Sequence, residues 1–120
     1  MTADVEFCQA VVTFNDQSEA DAMARTLVKE RLAACAQMDG PITSVFWWEG
    51  DAQTEMEFRV EFKTRTALLP ALTARVLELH SYDTPQVVAV PIVGGSEAYL
   101  QWMRDETAAA SAEVGETAKG

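Results

Sequence analysis

The chain has 120 residues, 48% of them hydrophobic, and nine Lys and Arg against nineteen Asp and Glu give a formal charge of −10. This length supports one core rather than two ordinary domains, and so negative a surface repels phosphate backbones and anionic headgroups, which excludes nucleic acid and membrane surfaces and leaves cations as natural visitors. No apolar run reaches a membrane span, "MTADVEFCQA" lacks a basic-then-apolar leader, and Cys8 and Cys35 form neither a CxxC nor a secreted disulfide pattern, so a reduced, cytoplasmic protein is expected.

Between Val5 and Phe14 the even positions Cys8, Ala10, Val12 and Phe14 are apolar, which predicts a strand with one face buried. "NDQSEADA" supplies turn formers, with Ser18 and Asp21 spaced as a capping box. Ala20, Met23, Ala24, Leu27, Val28 and Leu32 then recur at helical spacing, predicting an amphipathic helix from about Glu19 to Ala33.

Gly40-Pro41 punctuates the chain ahead of a strand rich in β-branched and aromatic residues, which "EGD" ends in a hairpin-like turn. Trp47 and Trp48 lie side by side in that strand, so they point to opposite faces. One is expected to enter the domain's own core. The other needs a partner subunit or a ligand cleft, because an indole left in water forgoes on the order of 5 kcal/mol over roughly 200 Å². After the turn, Met56, Phe58, Val60 and Phe62 alternate with Glu55, Glu57, Arg59, Glu61 and Lys63, a period of two that predicts a half-buried strand with a solvated, charged outer face.

Thr66 is placed to cap a second helix, with Pro70 in its first turn, an apolar stripe of Leu68, Leu69, Leu72, Val76 and Leu79, and an end near His80. The apolar run "QVVAVPIV" reads as a central strand, with Pro91 marking where the ladder stops or bulges. Ser96 can cap a last helix carrying Tyr99, Trp102 and Met103 on one side. The expected domain is residues 1–107, with 108–120, rich in Ala, Glu and Gly, as a flexible tail. This order, β-α-β-β-α-β plus a helix, predicts an α+β class, ferredoxin-like sandwich whose two helices cover one face of an antiparallel sheet. The opposite face cannot be wholly polar, so a closed homo-oligomer is expected.

The blocks "RLAACAQMDGPITSVFWWEGD", "FKTRTALLP", "HSYDTPQVVAVPI" and "YLQWM" resemble the CutA divalent-cation tolerance family from about Ala10 to Thr107, in the family's order and spacing. The resemblance implies a homotrimer of ferredoxin-like subunits built like the PII signalling proteins, with a cleft where adjacent subunits meet. Carried over by position, the cleft residues are Cys35, Trp48, Glu49, Lys63, His80 and Tyr82. The family is associated with copper and other divalent cations. The chain departs from the family block His-Pro-Tyr-Glu, having His80-Ser81-Tyr82-Asp83, and it has Val12 and Leu79 where some members add a Cys and a second His.

Two readings of the chemistry stand side by side. Cys35 and His80, with Asp83 or Glu49, make a sparse soft site suited to copper; equally, Cys35 is a small hydrophobe at a helix-to-strand junction and His80 caps a helix C-terminus. Trp48, Glu49, Lys63 and Tyr82 are the expected small-molecule contacts. For Lys63 the alternatives are a solvated charge and an anion-facing group beside His80 and Tyr82. No nucleophile elbow, phosphate loop, dinucleotide fingerprint or HExxH motif is present, and no reaction is expected. The expected function is divalent-cation tolerance with copper or another divalent metal at an intersubunit cleft. The alternative is a PII-like trimeric sensor of a small anionic metabolite that signals through a partner protein.

Overall fold

The computed structural model describes the backbone from Val5 to Lys119 and the side chains as far as Ala108. Strand β1 (Phe7–Phe14) buries Cys8, Ala10, Val12 and Phe14 on one face, as its alternation predicts. Helix α1 (Gln17–Lys29) lays Ala20, Met23 and Leu27 on that face. Its cap is Asp16 rather than Ser18: the Asp16 carboxylate accepts the Glu19 N–H at 3.2 Å, and Ser18 Oγ donates to the same oxygen. The helix also stops short of Ala33. Arg31 sits at φ 64°, the Arg31 N–H donates to the Val28 carbonyl and the Leu32 N–H to the Leu27 carbonyl, which is a Schellman ending with arginine where glycine is usual.

Strand β2 (Cys35–Trp48) and strand β3 (Asp51–Arg65) form a long hairpin. Glu49 at φ 52° and Gly50 at φ 80° make its two-residue turn, both central positions left-handed as a hairpin's twist requires. Gly40-Pro41 lies inside β2: the register slips between Asp39 and Ile42, so two residues of β2 oppose one of β3. A 3-10 turn (Thr66–Leu68) then leads into helix α2 (Leu69–Leu79), and Thr66 is no cap to it. Leu72 and Val76 are buried, whereas Leu79, read as part of the stripe, is 41% exposed.

Strand β4 (Val88–Ile92) pairs only with β1, giving an antiparallel sheet in the order β2-β3-β1-β4. The "QVVAVPIV" run is therefore an edge strand, not a central one, and Val88, Val90 and Val93 remain largely exposed. Pro91 does not end the ladder; it pairs with Cys8 and the strand runs on to Ile92. Proline is tolerated because an edge strand has one side with no neighbour to receive an N–H.

Helices α1 and α2 cover the face bearing Val12, Phe14, Val60 and Phe62. The expected last helix, α3 (Glu97–Lys119), packs on the other face, where Met103 and Leu100 meet Phe7, Ala34 and Ile92. Arg104 lies 5.2 Å above the Phe7 ring and pairs with Glu6, and Arg65 donates to the Thr107 hydroxyl and carbonyl, both at 2.7 Å. Tyr99 and Trp102 tilt against each other with centroids 5.3 Å apart and stay about two-fifths exposed, while Met103 is fully buried. Helical backbone continues through the segment expected as a tail, whose side chains from 109 onward lie outside the described residues. Among the described residues no helix is long and apolar enough to cross a membrane.

Candidate functional site

The structure sorts the expected site residues into three places. The first lies where α2 ends. His80 caps that helix, its N–H bonded to the Val76 carbonyl at 2.9 Å, and its side chain is wholly buried. The ring stacks on Phe14 with centroids 4.5 Å apart and planes 12° from parallel. Nε2 lies 2.8 Å from the Thr13 carbonyl oxygen, which can only accept, while Nδ1 accepts the Tyr82 backbone N–H at 3.0 Å. The proton therefore sits on Nε2, and both ring nitrogens are used.

Tyr82 extends this network outward. Its hydroxyl donates to Glu57 Oε2 at 2.7 Å, and its ring tilts against His80 at 4.7 Å. Burial, then the hydrogen bond to Glu57 and the carboxylates nearby, pushes the Tyr82 phenol above the usual tyrosine range. Glu57 was read as one of the solvated charges, but it is only 8% exposed. Burying a carboxylate costs stability unless a donor meets it, and Tyr82 is that donor. Ser81 turns toward α1, where Glu19 accepts its N–H at 2.9 Å and its hydroxyl at 2.8 Å. A proline at this position would have no N–H to give. Asp83, the third expected metal ligand, is exposed.

The second place is the opposite end of β2 and β3. Cys35 is half-buried and directly across from Lys63, whose ammonium is hydrogen-bonded to the Gln37 side chain. Tyr99 reaches Cys35 from α3, and burial followed by that contact raises the Tyr99 phenol. Cys35 and His80 do not meet in one chain. Cys35 pairs with Lys63, while the carbonyl holding His80 belongs to Thr13, the partner of Arg59. Four residues of strand separate those levels, roughly 13 Å. Among the described residues no three His, Cys, Asp or Glu side chains converge to hold a metal ion, so within one chain the donor set does not fit a resident metal.

The third place is the hairpin tip. Trp47 is 73% exposed and Trp48 54%, so neither enters the core. The alternation holds, but β1 ends at the Phe14–Phe58 pair, and past Glu57, which Tyr82 covers, most hairpin side chains on both faces are exposed among the described residues. Val45 and Met56 are exposed with Trp47, Phe46 with Trp48, and Glu49 lies in the turn.

Residues 8–106 match the model of the CutA1 divalent ion tolerance protein family. The chain belongs to the CutA1 family. A CutA divalent-cation tolerance protein of Thermus thermophilus is 38% identical over 97 residues, 81% of this chain and 94% of that protein. A chloroplastic CutA protein of rice is 43% identical over 96 residues, 80% of this chain, and this chain spans about half the length of that relative and of its Arabidopsis counterpart. The crystal structure of rice CutA1 superposes with a TM-score of 0.84 at 41% identity, covering 86% of this chain and 94% of that one. A CutA from Archaeoglobus fulgidus, described as periplasmic, superposes at 0.82 with 34% identity, over 84% and 98% of the two chains. The CutA1 match takes in all three places just described.

Glu57, Glu19, Gln37 and Tyr99 join this CutA1 chain's network without having been singled out as site residues. Only the family's Tyr82 signalled that a buried acceptor was needed.

Proposed function

We propose that the chain confers tolerance to divalent cations as a homotrimer of ferredoxin-like subunits, arranged like the PII signalling proteins, with copper or another divalent cation held in a cleft between subunits in the cytoplasm. The observation that carries this reading is the hairpin arm, whose two faces expose Val45, Trp47 and Met56 on one side and Phe46 and Trp48 on the other. Apolar surface on that scale is covered by another chain in stable assemblies, and closed assemblies of identical subunits are its commonest cover. The seven residues from Asp51 to Glu57 make six steps of ~3.4 Å, about 20 Å in all, enough to lie along a neighbour.

Because Cys35 and His80 stand apart in one chain, a metal site using both takes them from different subunits. His80 has both nitrogens engaged, so the Cys35 thiolate is the ligand that needs no rearrangement, and a soft thiolate favours copper. No reaction is assigned. The test is native mass spectrometry of metal-free protein, then with one equivalent of copper per chain. A trimer taking up copper in fixed ratio, with affinity at least tenfold lower in Cys35→Ser, about 1.4 kcal/mol, supports the reading. Scattered low-occupancy adducts on a trimer remove copper and keep the assembly.

The contact between Lys63 and Gln37 favours a second reading, a cleft that takes a small anionic metabolite. Here a metabolite raises the melting temperature and Lys63→Ala abolishes the rise. A blank metabolite screen counts against it.

A further inference from the structure

We infer that Tyr82 is a strut: its hydrogen bond to Glu57 sets the angle at which the hairpin arm leaves the sheet, and thereby how the arm meets a second copy of this chain. The second half rests on the assembly proposed above; the first does not.

Glu57 occupies a singular level of β3. The β1 ladder ends at Phe14–Phe58, so Glu57 is the first residue beyond it and pairs only with Ile42 of β2. From that level outward the sheet is a two-stranded ribbon, the form least able to hold its own twist and direction. The register slip between Asp39 and Ile42 falls at the same level, and a bulge bends the strand that carries it. The arm therefore departs where the backbone is freest to swing.

Tyr82 grips that level from outside the sheet. Its hydroxyl meets the buried Glu57 carboxylate at 2.7 Å, and its own position is fixed by a chain of directional contacts. Its N–H bonds to His80 Nδ1; the His80 ring bonds to Thr13 and stacks on Phe14; and Ser81, next in sequence, is tied twice to Glu19 on α1. The arm is thus braced against α1 and the end of β1 through His80, Ser81 and Tyr82, three residues of the loop between α2 and β4. On the opposite strand Gly40 lies against Phe58 and the Glu57 carbonyl, which closes the other side of the joint. A rigid joint matters because the arm's apolar faces have a fixed geometry to match in a partner, and each degree of swing at the root moves the tip farther than the base.

Tyr82→Phe keeps the ring beside His80 and removes the single donor. Hydrogen exchange on the full-length chain is then expected to quicken at least tenfold for amides of residues 42–57, while β1 and α1 keep their wild-type rates. Exchange of isotope-labelled subunits between assemblies is expected to quicken at least tenfold as well. Glu57→Gln retains a carbonyl oxygen to accept the phenol's proton and is expected to behave as wild type. Unchanged exchange in the arm of Tyr82→Phe overturns the strut, and so does an equal rise throughout the body, which marks a general loss of stability. Sedimentation of the wild-type chain separates the two halves. A single-subunit mass at every concentration removes the assembly reading, and the strut then stands or falls on the exchange pattern alone.

Discussion

Gly40 lies so close to Phe58 that a Cβ added there would sit 2.8 Å from Phe58 Cδ2 and 3.0 Å from the Glu57 carbonyl oxygen. Its φ of 145° is also one that side-chain-bearing residues avoid. Gly40→Ala therefore meets both a clash with a packed ring and backbone strain, together about 2–4 kcal/mol. Denaturant unfolding is the check. A loss below about 0.5 kcal/mol, the range of ordinary surface changes, would mean that the bulge is not the tight joint described.

Ser81 replaces the proline usual in the family block with a residue that gives Glu19 two hydrogen bonds. Ser81→Ala removes one and is expected to cost about 1 kcal/mol. Ser81→Pro removes both and is expected to cost about 2 kcal/mol, offset in part by a stiffer unfolded chain. Equal stability of the two variants would show that the backbone N–H contributes nothing.

Glu49 holds φ 52° in the hairpin turn, where asparagine is favoured ahead of glycine. Glu49→Asn is expected to stabilise the hairpin by about 0.5–1 kcal/mol, read as a higher denaturant midpoint with an unchanged slope. A lower midpoint would assign Glu49 a contact beyond the turn.

Both tyrosines carry phenols raised above their ordinary value, Tyr82 first by burial and then by Glu57, Tyr99 first by burial and then by Cys35. A group whose folded pKa is raised gives stability that is complete below the unfolded value, about 10 for tyrosine, and that disappears as pH climbs through the folded value. Stability is thus expected to fall from about pH 10 upward, with phenolate absorbance appearing together with unfolding. A Tyr82 phenol that titrates near pH 10 in the folded chain would contradict its packing against Glu57.

Much of the fold is legible in single stretches of chain. Phe58 to Lys63 announces a half-buried strand, and Ala20, Met23 and Leu27 announce the inner face of α1, because the side-chain period reports burial directly. What failed depended on partners distant in sequence. "QVVAVPIV" reads the same whether its strand is central or at an edge, and only pairing with β1 decides. Trp47 and Trp48 do alternate, yet no local pattern states that β1 ends before their level is reached. The contacts around His80 depend on equally distant partners. His80 and Thr13 are 67 residues apart, and the same alternation that places β3 correctly also assigned Glu57 to solvent.

Pro91 answers a hazard that the edge position of β4 creates. Val88 and Val90 present an apolar strand edge, the kind of template on which a stray chain can add itself and grow into a fibre. A continuing ladder needs a donor at each outward-facing step, and proline has none to offer. One imino acid at the fourth position of a five-residue strand thus lets the molecule keep an open, greasy border while denying strangers a full set of rungs.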